Sequence, residues 1–420
     1  MRRLALALAV VLVAVFCAVH ATASEAAAAP PQIQAKAAIV MEASTGDVLY
    51  AKNAEQRRPI ASTTKLMTVL VALQRDDLDD VFSAPDYHAT PAESLIGLRA
   101  GERMSVRDLL RASLLPSAND AAATIAVGTS GSTKAFVAEM NKQAVALGLR
   151  NTHYTTPVGL DTPGNYSTAH DLARLAVVLR RNEFFRRTTD LPSATLRSGS
   201  HKRVVINRND LVRRIPVVNG VKTGHTNVAG YILVGSATRD GVTVITVVLG
   251  DPSENARDAD SLALIRYGLN GYRARTELAQ GRVMGKVGLR YRGGSSVQVV
   301  AGTTVRRVLR TGAHPTVTVT GLPTEVDGPL ARGSRVGTAI VRDAGMVLAR
   351  VPLVTAKPVS EAGLGTRLSD LLSRSQTEIA IALLLICSLP LLMLRRRALR
   401  RKRALDAEHR RTRRREETVS

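Results

Sequence analysis

Ser62 and Lys65 stand three residues apart in the run Pro59-Ile-Ala-Ser-Thr-Thr-Lys-Leu-Met-Thr-Val-Leu70, a spacing that puts a hydroxyl and an amine on one face of a helix. Pro59 pre-sets a helical φ, so the helix is predicted to begin there with Ser62 in its first turn. Its apolar face is then Leu66, Met67, Val69, Leu70 and Leu73. The positive end of the helix dipole favours alkoxide character at Ser62 as it attacks a carbonyl. An ammonium cannot accept a proton, but partial burial and a second cation nearby disfavour the charged form and make Lys65 a base near neutral pH. A Ser-x-x-Lys arises by chance on the order of once in a chain this long, so the pair needs partners.

Two later segments offer them. Ser117-Ala118-Asn119 falls in the connection between predicted helices at 106–115 and 121–127. A hydroxyl there can pass a proton, and a carboxamide can fix a lysine and a substrate amide; the plainer reading of Asn119 is an N-cap. Lys222-Thr223-Gly224-His225 opens the most strand-like part of the chain. Lys222 offers a positive charge and Thr223 a hydroxyl to a carboxylate, while Gly224 lets a substrate backbone lie against the strand edge. The plainer reading of Lys222 is an exposed edge-strand lysine that discourages aggregation.

The elements around these groups follow from periodicity and turns. A hairpin turns at Ser44-Thr45-Gly46-Asp47, helices are predicted at 135–147 and from Ser167 to Leu179, and a long loop spans 151–166. An edge hairpin is predicted at 197–207, adjacent antiparallel strands over 217–250, and a closing helix over 253–269. From 276 to 356, short valine-rich segments between Gly and Pro turns predict a small all-β domain without catalytic groups.

The 420 residues, 45% of them hydrophobic, suffice for two or three domains. Residues 1–23 read as a secretory signal, with Arg2 and Arg3 before an apolar run and Ala21-Thr22-Ala23 as a cleavage site; 24–36 is a linker. Residues 357–377 read as a juxtamembrane linker and 378–394 as a transmembrane helix whose uncharged core, at roughly 1.5 Å per residue, is short for a bilayer. The tail, 395–420, carries twelve basic and four acidic side chains, which predicts a cytoplasmic tail and an exported body, with membrane lipid as a contact of the helix and tail. Cys17 and Cys387 both lie in the apolar runs, so the body has no disulfide or cysteine metal site. The net charge of +23 does not point to nucleic acid, given that topology and only 3% aromatics.

Ala61-Ser62-Thr63-Thr64-Lys65, Leu115-Pro116-Ser117-Ala118-Asn119-Asp120-Ala121, Tyr166-Ser167-Thr168-Ala169 and Lys222-Thr223-Gly224-His225-Thr226 occur in that order. Together they resemble the low-molecular-mass penicillin-binding proteins, specifically the serine-type D-alanyl-D-alanine carboxypeptidases of peptidase family S11, from about Ile39 to Tyr272. The resemblance implies an α+β fold: an antiparallel five-stranded sheet with helices plus an all-α subdomain, β-lactamase/transpeptidase-like, forming a catalytic domain over 37–272. The β-rich domain would be a stalk. Ser62 would attack a peptidoglycan stem peptide ending in D-Ala-D-Ala, with Lys65 as general base and Ser117 as proton relay. Asn119 would orient Lys65 and substrate, and Lys222 and Thr223 would form a positive rim for the terminal carboxylate. Backbone N–H groups of Ser62 and His225 would hold the oxyanion, with Arg257 a further carboxylate contact or a surface helix arginine. β-Lactam antibiotics would acylate the serine, and the chemistry calls for no metal or organic cofactor. A β-lactamase, a D,D-endopeptidase and a catalytically weak wall-binding scaffold are the rival readings. Against the first, the glutamates between Asn119 and Lys222 are Glu139 and Glu183, neither in a loop motif.

Overall fold

The computed structural model describes residues 29–374 and 376–416; the expected signal segment lies outside them. The chain divides into two compact units, 1–275 with 307–313, and 276–306 with 314–420.

The first unit is built on five antiparallel strands. In chain order its strands are β1 (Ala37–Glu42), β2 (Val48–Lys52), β3 (Val81–Ser83), β4 (Arg103–Ser105), β5 (Ser193–Leu196), β6 (Arg203–Ile206), β7 (Val218–Thr226), β8 (Gly230–Arg239) and β9 (Val242–Asp251). The main sheet runs β2-β1-β9-β8-β7, which is the expected five-stranded antiparallel arrangement, while β3-β4 and β5-β6 form separate pairs. Side chains alternate between two cores. Ile39, Met41, Ile245, Val247 and Leu249 face one cluster; Ala38, Val40, Val244 and Val248 face the other. That period of two explains why β1 and β9 read as unbroken apolar runs: both faces are covered.

The first face carries helices α1 (Lys65–Arg75), α2 (Val106–Leu114), α3 (Asn119–Ser130), α4 (Thr133–Ala146), α5 (Ala169–Leu179) and α6 (Glu183–Thr189), while the short α7 (Leu211–Arg214) joins the opposite core through Leu211. α8 (Glu254–Gly271) packs on the opposite face through Leu264, Ile265 and Leu269. The nucleophile segment departs from the amphipathic expectation. A 3-10 turn, Ala61–Thr64, precedes α1, and every residue from Lys65 to Ala72 is buried. The helix runs through the centre of the unit, so its polar groups bond to protein instead of water; the Thr68 hydroxyl, for example, donates to the Pro157 carbonyl at 2.6 Å. In β6, burial alternates, with Val205 inside and Val204 and Ile206 exposed. The hairpin predicted at 197–207 begins earlier than its sequence suggested, since β5 starts at Ser193.

Residues 307–313 group with this unit. The Arg310 guanidinium donates to both Asp47 carboxylate oxygens at 2.6 and 2.7 Å, and the Tyr272 hydroxyl donates to one of them at 2.9 Å. The sequence showed only a valine-rich segment there, because an ion pair spanning 263 positions leaves no local pattern.

The second unit holds a six-stranded sheet over a small core that includes Leu278, Val299, Val341 and Leu353. Within residues 357–377 lies α9 (Leu364–Arg374). α10 (Gln376–Glu416) is one helix of 41 residues with Pro390 inside it. Its stretch Glu378–Ala407 is long and apolar enough to cross a membrane. The helix does not stop where the arginines begin, because residues 395–416 are mostly Arg, Lys, Ala, Leu and Glu with no Gly or Pro to end it.

Candidate active site

Three segments of the first unit meet around Ser62. The turn that carries it is strained: Ala61 has φ 45° and Ser117, across the site, has φ 67°, both in the left-handed region that a side chain disfavours. Ser62 is half-buried in the 3-10 turn just before α1. Lys65, one turn on, is fully buried. Its Nζ donates to Ser62 Oγ at 3.1 Å, to Asn119 Oδ1 at 2.5 Å and to the Val158 carbonyl at 2.6 Å. Burial drives its pKa down to about 7; Glu93 and Asp120 oppose that shift, and Arg208 adds to it. Of its three partners, the Asn119 oxygen and the Val158 carbonyl can only accept. A neutral amine keeps two N–H groups for them, which leaves its lone pair for the one partner with a proton to give, the Ser62 hydroxyl.

A second serine-lysine pair lies beside the first. Lys222 Nζ donates to Ser117 Oγ at 2.9 Å and to the Thr223 carbonyl at 2.9 Å. Lys222 is 1% exposed, so it is not a solubilising edge lysine. β7 is the last strand of the sheet, but the loop bearing Ser117 covers the lysine. Burial, then Lys65, Arg208 and Arg257, holds its pKa well below the usual value.

The remaining sequence-predicted groups fall around a cleft of about 1060 Å³ that Ser62, Ser117, Thr223, Gly224, His225 and Arg257 help to line. Lys65, Asn119 and Lys222 sit behind this wall. Asn119 is not an N-cap: it is the first residue of α3, whose cap position is Ala118 with no side-chain bond. A Cβ on Gly224 would crowd the nucleophile turn, lying 3.2 Å from the Ile60 carbonyl oxygen and 3.4 Å from the Ser62 nitrogen. His225 is exposed, its ring 4.0 Å from that of Tyr231. Arg257 is not a surface arginine; it is 3% exposed, and Glu254 and Asp258 hold its guanidinium at 2.9 and 2.7 Å. Glu139 pairs with Arg75 at 3.3 Å and Glu183 with Arg187 at 2.6 Å, both on helix surfaces, and neither lines the cleft.

Sequence reasoning missed Val158, Glu93 and Arg208. The first acts through its backbone, which any residue supplies, and Glu93 sits in a stretch, 90–102, whose polarity reads as loop. Gly159 was a visible signal, read only as part of a loop. Its φ is 88°, and a Cβ would fall 2.1 Å from the Ala61 carbonyl oxygen. Gly159→Ala is therefore expected to lower stability by roughly 1–3 kcal/mol or more from backbone strain alone, and to displace both the nucleophile turn and the Val158 carbonyl. Thermal melting and penicillin labelling check this: a variant with wild-type values on both would show that the loop does not brace the turn.

Residues 24–253 match the D-alanyl-D-alanine carboxypeptidase family model. D-alanyl-D-alanine carboxypeptidase DacD of Escherichia coli K12 is 33% identical over 359 residues, 81% of this chain and 91% of that protein. DacF of Bacillus subtilis 168, another D-alanyl-D-alanine carboxypeptidase, is 30% identical over 79% of this chain and 87% of its own length. Among solved structures, penicillin binding protein 5 of Haemophilus influenzae matches with a TM-score of 0.59 at 30% identity, covering 80% of this chain and all of that one. The Streptomyces K15 DD-transpeptidase matches with a TM-score of 0.55 at 36% identity over 58% of this chain and 99% of its own.

Proposed function

Because this chain belongs to the D-alanyl-D-alanine carboxypeptidases of peptidase family S11, with their penicillin-binding fold, we propose that Ser62 is its nucleophile and Lys65 the base. The observation that carries this reading is the Lys65 amine, buried and with two of its three partners able only to accept. Ser62 Oγ attacks the carbonyl carbon of the penultimate D-alanine and its proton passes to Lys65. The tetrahedral oxyanion is held by the backbone N–H groups of Ser62 and His225, a type of donor whose individual loss costs about 100- to 1,000-fold. When the C–N bond breaks, the departing D-alanine amine receives the proton, with Ser117 as relay; the Lys222 bond to its hydroxyl supports that role. Water then attacks the acyl carbonyl and gives its proton to Lys65; as the ester C–O bond breaks, Lys65 returns that proton to Ser62 Oγ and the acid is released.

Thr223 and Arg257 are proposed contacts of the terminal carboxylate, supported by their place in one cleft wall with Ser62. Lys222 and Asn119 act from behind that wall, on Ser117 and Lys65. His225 and Gly224 shape the edge along which the peptide lies. The β-rich unit is proposed as a stalk and the Glu378–Ala407 helix as a membrane anchor. The arginines that follow it support a cytoplasmic tail and a catalytic unit on the wall side.

Incubating the full-length chain with a pentapeptide ending in D-Ala-D-Ala is expected to release one alanine, read by mass spectrometry. An intact pentapeptide, with cleavage only of crosslinked dimers, would make the protein an endopeptidase. Neither glutamate between Asn119 and Lys222 lines the cleft, so β-lactams are expected to acylate and leave slowly; turnover of a chromogenic cephalosporin at tens per second would replace the carboxypeptidase reading with a β-lactamase.

A further inference from the structure

The base proposed above is held by Asn119, and Asn119 is held in turn by a residue outside the recognised motifs. Asn119 Nδ2 donates to Glu93 Oε2 at 2.7 Å, while Asn119 Oδ1 accepts from Lys65 Nζ at 2.5 Å. We propose that Glu93 is a positioning residue for the acylation step, fixing the Asn119 carboxamide with its oxygen toward Lys65 and so keeping the amine in line with Ser62. The inference rests on the reading of Lys65 as the base.

An ionised carboxylate only accepts hydrogen bonds, so the side of the amide that faces it must be the NH2 group. The oxygen is then forced toward the lysine. A flipped amide would set its oxygen against the carboxylate and its N–H groups against the donors of Lys65. Without the carboxylate, only the Lys65 contact selects the orientation, and a neutral amine, which can also accept through its lone pair, selects it weakly. Glu93 is itself held in place. The Tyr87 hydroxyl donates to Oε2 at 2.5 Å, and the Thr90 backbone N–H and hydroxyl donate to Oε1 at 2.9 and 3.2 Å. Burial raises its pKa, but the bonds from Asn119, Tyr87 and Thr90 outweigh that and hold it below the usual value, so it stays ionised. The Asn119 backbone is tied to the same loop, its N–H donating to the Ser94 carbonyl at 2.7 Å.

A glutamate near a serine nucleophile invites a different assignment, as base for the deacylating water. The geometry opposes it. Ala92 and Ser94 line the cleft, whereas Glu93 between them does not, and both of its oxygens are taken by protein donors. Its second effect on the chemistry is electrostatic. The charged groups around Lys65 are Glu93 and Asp120, which favour its ammonium form, and Arg208, which opposes it; Lys222 faces the same space from β7. Asp120 is spent on the Ile96, Leu98 and Ala121 backbone N–H groups. Glu93 is the anion joined to Lys65 through one amide.

The test is the pH dependence of acylation of the full-length chain by fluorescent penicillin, for wild type, Glu93→Gln and Glu93→Asp. In the wild type the rate is expected to rise with pH through the Lys65 titration to a plateau. Glu93→Gln preserves shape but can donate as well as accept, so the amide lock is lost and the plateau is expected to fall by about 10- to 100-fold, the scale of a misplaced catalytic group. Its rising limb is expected to move to lower pH by roughly one unit, since the anion favouring the ammonium is gone. Glu93→Asp keeps the charge at shorter reach, so its limb stays at the wild-type position while the plateau falls. An unchanged plateau and limb in Glu93→Gln, or an equal shift of the limb in both variants, would overturn the proposal. A wild type without any limb would remove the base reading itself, which separates the two failures. Should Glu93→Gln not fold, Glu93→Asp decides alone: a full wild-type plateau would overturn the role.

Discussion

Ser62→Ala is expected to abolish covalent labelling by fluorescent penicillin and to lower D-alanine release by at least about 10,000-fold, the scale on which nucleophile loss is felt in serine hydrolases. The fold should survive. Ser62 is half-buried at the cleft, and its hydroxyl bonds to Lys65, which retains the Asn119 and Val158 oxygens as acceptors. A melting temperature within a few degrees of wild type is the control. The structure also names the competitor. Ser117 has its own lysine partner at 2.9 Å and lines the same cleft, so the chemistry could in principle begin there. Ser117→Ala is the counter-experiment: it should slow labelling yet leave the label on the peptide that contains Ser62. A label that persists in Ser62→Ala and maps to Ser117 would exchange the two roles.

What the sequence could and could not reveal follows from where each interaction resides. The Ser62-Lys65 pair was legible because both partners are side chains one helical turn apart. The alternation in β1 and β9 was hidden by burial on both faces, yet length and β-branched content still marked strands. The polar residues Thr63, Lys65 and Thr68 resemble a solvated helix face, and the Ile60, Pro157 and Val158 carbonyls reveal why they are buried instead. Those carbonyls carry no residue-type signature. Lys222 reads as an exposed edge-strand charge because a strand at the end of a sheet usually has one open side; here the Ser117 loop closes it. Glu93 is separated from Asn119 by 26 positions and belongs to no short motif, so its bond to the carboxamide is a product of the fold alone.

Lys65→Arg is expected to cut acylation by about 100- to 10,000-fold, the usual worth of a positioned general base, and to erase the rising limb of the pH profile. Arginine keeps the positive charge and the capacity to donate, but it does not give up a proton in a protein. The variant therefore separates two roles that a lysine can play. If Lys65 is the base, the reactive form is the neutral amine; with a pKa of about 7 its fraction grows tenfold per pH unit below that value and saturates above it. Wild-type acylation should follow the same curve. If instead Lys65 serves as a fixed cation, wild-type activity should fall as pH rises through 7 and the arginine variant should retain most of it. Stability supplies a second reading of the same titration. The folded pKa lies below the model-compound value of 10.5, so between about 7 and 10.5 the unfolded chain binds a proton that the folded chain does not, and this group's contribution makes stability rise with pH across that window. Arginine stays charged in both states, so its variant loses that rise and carries the full penalty of a buried cation at every pH. A variant that labels at wild-type rate with an unshifted profile would leave the amine no part in activating Ser62.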